Sequence, residues 1–309
     1  MNLSARADWT QREERGSRAA LTLMRWLSLG LGRRVSRGVL PFIAFYFLIA
    51  APAARRASRT YLTRALGRPA TWFDVLRHFH TFAATVHDRA YLLNDRFDQF
   101  AIEIEAADEV DRALETGGVF LVGAHFGSFE VLRAATRSAA AQGRRYDVTM
   151  VMYEDNARRI GAALAALNPR ATPRIIGLGQ ADAMLQVRQA LDDGELVGFL
   201  ADRTLGEQPT VNVPFLGASA PFPVSAFRLA ALLRLRVLLM QGIYLGGRRY
   251  RVRFAPLADF SNVDGSRDAA VREAVLRFAA ELEQACRAHP YNWFNFFDFW
   301  SGGANGAAR

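Results

Sequence analysis

The alternation of short apolar runs with helix-like stretches after Ile102 is the feature that most constrains the fold. Four of these runs are Val119–Ala124 (VFLVGA), Val148–Tyr153 (VTMVMY), Arg174–Leu178 (RIIGL) and Leu196–Ala201 (LVGFLA). The stretches after the first three predict helices from Ser128 to Ala141, from near Asn156 onward, and from Gln180 to Leu191. Strands that are apolar throughout and alternate with helices are typical of a parallel sheet covered on both faces.

The rest of the chain extends this pattern. A loop rich in Pro and Gly runs to Pro223, and the elements predicted after it are a helix near Ser225–Leu233, an apolar strand Val237–Tyr244, an alternating strand Tyr250–Phe254 and a helix Asp268–Ala288. The 309 residues, 51% of them hydrophobic, suffice for one sizeable core, and the single Cys286 excludes a disulfide framework. Cys286 lies on or near the apolar face of the last predicted helix, so we expect a buried thiol. We therefore predict an α/β domain over residues 59–300, with a central, mostly parallel sheet flanked by helices, and a flexible tail over residues 301–309.

Residues 1–58 form a basic, apolar segment that differs from the rest of the chain. The first 68 residues hold 13 Arg against three acidic residues, whereas the remainder is close to neutral. Within the segment, Gly38–Ala54 is uncharged over 17 residues. Arginines bracket this run on both sides: Arg33, Arg34, Arg37, Arg55, Arg56 and Arg59. A spanning helix needs about 20 apolar residues, and this run also contains Pro41 and Pro52.

Arg side chains beside an aromatic-rich apolar run suit an anionic membrane surface. The alternative is a basic helical hairpin that packs on the core. The segment from Thr60 to Phe100 that follows is predicted to be helical, because its apolar residues recur at helical spacing. We favour the membrane-associating interpretation. Binding of nucleic acid is disfavoured, since segments that bind phosphate are rarely so apolar.

Titratable side chains follow three of the predicted strands. His125 comes after the first strand, Glu154 and Asp155 after the second, and Asp202–Arg203 after the strand Leu196–Ala201. Ligands of open α/β sheets collect at the carboxyl ends of the strands. The sequence therefore predicts that a functional site lies at this edge.

His125 and Glu130 are the candidate catalytic pair. They begin and end the sequence H-F-G-S-F-E, in which the turn at Gly127 can fold His125 back over the first helical turn. Ser128 is the expected N-cap, and the helix dipole favours a carboxylate at Glu130 and a neutral imidazole. A neutral His oriented by a carboxylate is a general base, and backbone N–H groups at the helix start could face an oxyanion. Spacing alone fits an ordinary strand–helix turn with a capping Glu equally well.

Other motifs do not compete with this pair. The lipase-type elbow G-x-S-x-G is absent, and Gly177–Asp182 (GLGQAD) lacks the third Gly of a dinucleotide fingerprint. No metal site is expected, because His78, His80 and His87 lie in a helical region without a nearby Cys. The aromatic run Trp293–Trp300 (WFNFFDFW) is expected to be a packed closing segment, with a lipid-facing edge as the alternative.

Several motifs in order resemble a known superfamily. G-A-H-F-G-S-F-E, with His125 and Glu130, resembles the H-x4-D/E motif of the lysophospholipid acyltransferases. The Glu version, followed by A-D-R-x-x-G-E, V-P-F-L-G and A-P-F-P, is similar to the lipid A late (lauroyl/myristoyl) acyltransferase branch of bacteria. The resemblance covers Leu21 to Trp300 and implies the glycerolipid-acyltransferase type of fold.

The resemblance also implies an activity. Such enzymes transfer an acyl chain from an acyl-carrier-protein or CoA thioester to a hydroxyl of a membrane lipid, at the cytoplasmic face of the bacterial inner membrane. His125 would then deprotonate the acceptor, Glu130 would orient His125, and no cofactor or metal would be needed. Phe126, Gly127, Asp202, Arg203 and Arg158 would line the substrate site. The alternative is a non-catalytic, membrane-associated lipid- or nucleotide-binding protein of the same fold.

Overall fold

The computed structural model describes residues 30, 32–115, 117–133, 136, 147–153, 174–179, 182–204, 208–263 and 265–300. Its helices are α1 (Arg33–Ser36), α2 (Leu40–Ala50), α3 (Pro52–Leu66), α4 (Trp72–Leu92), α5 (Ala107–Leu114), α6 (Ala183–Asp192), α7 (Ser225–Leu232) and α8 (Arg267–Ala288). Its strands are β1 (Ala101–Glu105), β2 (Val119–Gly123), β3 (Val148–Tyr153), β4 (Arg174–Leu178), β5 (Leu196–Leu200), β6 (Thr210–Phe215), β7 (Ala218–Pro223), β8 (Arg236–Gly246) and β9 (Arg249–Asp259).

Seven strands form one sheet in the order β1-β9-β8-β2-β5-β3-β4. Strands β8, β2, β5, β3 and β4 are parallel to one another, whereas β9 pairs antiparallel with β8 and carries β1 beside it. The predicted α/β class and mostly parallel sheet are confirmed. All four apolar runs after Ile102 are strands, ending within one residue of their predicted limits.

Helices cover both faces of the sheet, as side-chain alternation along β2 demonstrates. Phe120 and Val122 belong to the core cluster that includes residues of α3, α6, α7 and α8. Val119 and Leu121 belong to a second cluster, built with residues of α2, α4 and α5. Because successive side chains of a strand point to opposite faces, each face has its own core.

Two local predictions were wrong. The Pro- and Gly-rich stretch before Pro223 was expected to be a loop, but β6 and β7 form an antiparallel hairpin there. The helix predicted from Ser128 to Ala141 starts later than expected, because Phe129–Val131 form a 3-10 turn. The described residues after this turn, Leu132, Arg133 and Thr136, are helical. Ser128 makes no side-chain cap bond, since its hydroxyl donates to Glu130 instead. The expected helix near Asn156 and the tail 301–309 lie outside the described residues.

Two of the bracketing arginines bind inside the protein rather than facing outward. Asp88 on α4 is buried, and its carboxylate accepts two hydrogen bonds of 2.9 Å from Arg33 and two further bonds from Arg37. Tyr250 on β9 donates a further bond to the same carboxylate at 2.9 Å. A buried carboxylate charge is costly unless cations and hydrogen-bond donors compensate it. These bonds therefore link the N-terminal helices to α4 and to the sheet. This feature agrees with the hairpin interpretation.

The stretch of α1 and α2 also has an exposed face, on the side away from the ion pairs with Asp88. The apolar side chains on it follow helical spacing: Val35, Val39, Phe42, Tyr46 and Ile49. Within the described residues, no single helix is long and apolar enough to cross a membrane, although the pair Arg33–Ala50 and Pro52–Leu66, bent by 100°, meets the requirement of length and composition jointly. Helix α3 also runs across the boundary predicted at residue 58.

Candidate active site

His125 and Asp202 meet where β2 and β5 end. The two strands pair in parallel with Gly123 opposite Leu200, so two residues further on His125 lies opposite Asp202. One carboxylate oxygen, Oδ1 of Asp202, accepts from the ring Nδ1 of His125 at 2.8 Å and from its backbone N–H at 3.1 Å. Asp202 is fully buried, whereas the side chain of His125 is 33% exposed. The imidazole is thus one-third exposed, with Nδ1 bonded to a buried carboxylate and Nε2 left without a bond to any described side chain.

The electrostatics of this pair favour a neutral imidazole and an ionised carboxylate. Burial lowers the pKa of His125, and the positive charge of Arg203 lowers it further, against the opposing effect of Asp202. Burial alone would raise the pKa of Asp202, but the charge and hydrogen bond of His125 lower it to about 2. At neutral pH, His125 can therefore accept a proton, and Asp202 can stabilise the imidazolium that results.

Glu130 is not the carboxylate that binds His125. Its Oε1 lies 2.6 Å from Nε of Arg89 on α4, and its Oε2 accepts from the Ser128 hydroxyl at 2.8 Å. The reason is the 3-10 turn, which directs Glu130 toward α4 while the register of β2 and β5 brings Asp202 to His125. The expected orienting role of Glu130 is therefore wrong in this structure.

Gly127 has a packing role in the structure. It has a φ of +63°, and a Cβ built on it would lie 1.9 Å from the carbonyl oxygen of Gly242 on β8. Its N–H donates to the Asn292 carbonyl, and the Ser128 N–H donates to the Gly242 carbonyl, both at 2.8 Å. These two donors are already satisfied, so neither faces an oxyanion. The neighbouring Phe126 is buried and pairs with Trp293 through a β-bridge.

The aromatic segment Trp293–Trp300 forms hydrogen bonds to Asp202, to His125 and to Arg203. The indole N–H of Trp293 donates to Oδ2 of Asp202 at 2.9 Å. The Phe294 N–H donates to the His125 carbonyl at 2.8 Å, and the Phe294 carbonyl accepts from Arg203 at 2.6 Å. The predicted packed segment is confirmed, since Trp293 is fully buried. Its polar contacts were missed, because no motif links residues about ninety positions apart.

The remaining candidate residues divide into two groups. Arg203 lies at the site, where its guanidinium is 5.8 Å from the centre of the Phe297 ring. Arg158, Glu154 and Asp155 fall outside the described residues.

His78 and His87 of α4 are buried packing residues. His78 is buried between the Ser58 hydroxyl at 2.8 Å and the Trp293 carbonyl at 2.9 Å, and His87 contacts the Ser36 hydroxyl at 2.7 Å. Burial lowers the pKa of His78 to about 4. Within the described ranges, no three His, Cys, Asp or Glu side chains are grouped as metal ligands would be. Cys286 is buried as predicted, and burial raises the pKa of its thiol well above the usual value.

The fold and the site define an α/β protein with a buried aspartate bonded to a histidine at the carboxyl edge of its parallel strands. The family model of the bacterial lipid A biosynthesis acyltransferases matches residues 21–301, and the chain belongs to this family. It is thus an acyltransferase that acts on lipid substrates, and the resemblance read from the motifs is confirmed.

Two further comparisons add little to this identification. Among curated proteins, none matches this chain. The solved structures include a similar chain, the 1-acyl-sn-glycerophosphate (LPA) acyltransferase PlsC from Thermotoga maritima. The two are 13% identical with a TM-score of 0.34, over 86% of this chain and 96% of that one. A likeness this weak carries no argument about function.

Proposed function

We propose that the protein transfers a fatty acyl chain from an acyl-carrier-protein or CoA thioester to a hydroxyl of a membrane lipid, of the lipid A type or a related one. The observation that carries the proposal is the His125–Asp202 pair. It supplies a neutral base whose Nδ1 is engaged by a buried carboxylate. No described side chain bonds to Nε2, so this nitrogen is the one that faces the substrates.

In the proposed reaction, Nε2 of His125 takes the proton of the acceptor hydroxyl while the hydroxyl oxygen attacks the thioester carbonyl. The tetrahedral intermediate collapses as the C–S bond breaks, and the leaving thiolate takes the proton back from the imidazolium. The products are an ester and a free thiol, so no acyl-enzyme is formed. Asp202 stabilises the transient imidazolium, and the positive charge of Arg203 favours the neutral ring beforehand.

Incubation of the purified protein with labelled acyl-carrier protein or acyl-CoA and total membrane lipid tests this proposal. We expect a labelled lipid, and its mass identifies donor preference and acceptor together. His125→Ala is expected to lower the rate by about 10²- to 10⁴-fold, as for loss of a general base. The matched control is His289→Ala, which removes a half-buried histidine outside the pair. A correctly folded wild type that labels no lipid from either donor would favour the non-catalytic lipid-binding alternative.

We further propose that the protein works on the cytoplasmic face of the bacterial inner membrane, bound through α2 and α3. The exposed apolar face on α1 and α2 supports this, since Phe42 is 76% and Ile49 61% exposed. Exposed arginines follow on α3: Arg55, Arg56 and Arg59. An interfacial helix inserts apolar side chains into the membrane, and its neighbouring cations bind anionic headgroups. The exposed residues of α2 and α3 follow this pattern.

Co-sedimentation with vesicles tests the membrane proposal. We expect binding to vesicles that contain phosphatidylglycerol and a loss of binding in a variant that combines Phe42→Ser with Ile49→Ser. Leu232→Ser is the matched control, because Leu232 is an exposed apolar residue of α7. Binding by the double variant equal to that of wild type would refute this surface. High salt is expected to weaken wild-type binding, since each Arg near the surface contributes about 1 kcal/mol.

A further inference from the structure

We propose that Trp293 is a positioning residue for the reaction, because its indole N–H holds the Asp202 carboxylate in the orientation that presents Oδ1 to His125. The inference rests on the proposed role of His125 as the base and adds to it a residue from a distant part of the chain. Trp293 would not touch the substrates, and its effect would pass through Asp202.

The contacts of Asp202 divide cleanly between its two oxygens. Oδ1 accepts both bonds from His125, and Oδ2 accepts the bond from Nε1 of Trp293 at 2.9 Å. An indole nitrogen can only donate, so it fixes which oxygen faces the histidine and keeps a buried lone pair satisfied. Without that donor, Oδ2 would be a buried carboxylate oxygen with no compensating bond.

The ring of Trp293 is itself held on several sides. Tyr61, Phe215 and Phe299 pack edge-on against it, with ring centres 4.9, 5.3 and 5.0 Å away. Packing of this kind restricts the direction of the indole N–H to a narrow range. A Phe at this position would retain part of the packing but could not donate.

The backbone of Trp293 is fixed by a second set of bonds. Its carbonyl lies 2.9 Å from Nε2 of His78, whose Nδ1 lies 2.8 Å from the Ser58 hydroxyl. A carbonyl can only accept, so Nε2 of His78 carries the proton and Nδ1 accepts from Ser58. A line of hydrogen bonds therefore runs from Ser58 on α3 through His78, Trp293 and Asp202 to His125.

The bond from Trp293 also has an electrostatic consequence for His125. The hydrogen bond from the indole to Asp202 is stronger when His125 is neutral, because the carboxylate charge is then not compensated by an imidazolium. Trp293 therefore favours neutral His125, and its removal is expected to raise the pKa of His125. Loss of the carboxylate charge in Asp202→Asn is expected to lower that pKa instead. The charged groups that act on His125 are Asp202, Arg203 and Arg89, and both variants leave the two arginines in place.

The experiment compares Trp293→Phe with Trp300→Phe, which removes another indole of the same aromatic cluster that bonds to the Phe215 carbonyl rather than to Asp202. The ring of His125 is titrated by NMR in the full protein without substrate, and kcat/KM is measured against pH. We expect Trp293→Phe to lower kcat/KM by about 10- to 100-fold and to shift the acid limb of its profile to higher pH. Trp300→Phe is expected to shift neither.

Replacement of Trp293 by 3-benzothienylalanine, which keeps the bicyclic ring but has sulfur in place of N–H, covers the case in which Trp293→Phe fails to fold. The same shift is expected for it. If His125 titrates in these variants as it does in wild type, Trp293 has no positioning role and the inference is overturned. Since the titration needs no substrate, a protein without acyltransferase activity would still report the coupling, and the failure of the proposed function would be recognised separately.

Discussion

Asp202→Asn is the substitution that tests the site most directly, because it changes one atom of a fully buried side chain. The amide of Asn has one acceptor and one donor end, whereas both carboxylate oxygens of Asp202 accept. If the amide oxygen stays toward His125, the NH₂ group faces the indole N–H of Trp293 at a donor-to-donor distance of 2.9 Å. If the amide flips, NH₂ faces the His125 backbone N–H and forces Nδ1 of the ring to accept.

Both orientations damage the base. The flipped amide moves the ring proton to Nε2, which is the nitrogen that must accept a proton from the substrate. The unflipped amide leaves two buried donors opposed and removes the charge that stabilises the imidazolium. Loss of the correct tautomer in a His–Asp pair costs a factor of about 10⁴. We therefore expect kcat/KM to fall by about 10³- to 10⁴-fold, which corresponds to about 4–5.5 kcal/mol of transition-state stabilisation.

The assay is acyl transfer from a labelled thioester, with the titration of His125 by NMR as a second measurement. Asp259→Asn is the matched control, because Asp259 is half exposed and pairs with Arg236 at the opposite edge of the sheet. Glu130→Gln separates the two candidate partners, since Glu130 contacts Arg89 and Ser128 rather than His125. This variant is expected to change the pKa of His125 less than Asp202→Asn does, because it acts only through the charge of Arg89. A pKa that moves in Glu130→Gln but not in Asp202→Asn would refute the assignment of Asp202.

Three other substitutions have clear expected outcomes. Gly127→Ala places a Cβ 1.9 Å from a carbonyl oxygen and is expected to lower the free energy of unfolding by at least about 3 kcal/mol. Gly67→Ala is the control, because Gly67 has nearly the same φ but open space around it, and it is expected to cost only about 1–2 kcal/mol. The pKa of His78, lowered to about 4 in the folded protein, is near 6.5 when unfolded. Stability therefore falls by about 3 kcal/mol as the pH drops through that range, and urea unfolding of His78→Gln is expected to lack this slope. Cys286→Ala is expected to retain activity, because the thiol is buried and its pKa is raised. For the same reason, intact-mass spectrometry of the enzyme mixed with donor alone is expected to find no acyl adduct. A stoichiometric adduct that is lost in the variant would mean a covalent mechanism.

The parallel strands of the sheet and the burial of their apolar side chains were determined by the sequence. Short apolar runs such as Val119–Ala124 can be stable only when both faces are covered, so their order with helices implies the layered sheet. The position of His125 after such a run also placed it at the edge where ligands bind. The burial of Cys286 followed from its place on the apolar side of a helical pattern. These features depend on the local periodicity of apolar residues, which can be read directly from the sequence.

The partner of His125 was decided by tertiary structure alone. Asp202 is adjacent because β2 and β5 are neighbours in the sheet, although β3 and β4 lie between them in sequence, and Trp293 reaches Asp202 because the last segment folds back over the same edge. The N-terminal arginines illustrate the same limit. Arg33 and Arg37 look like membrane-facing charges in sequence, yet both bind the buried Asp88. Strand order and long-range ion pairs depend on which surfaces meet in space, and a local pattern of residue types does not specify this.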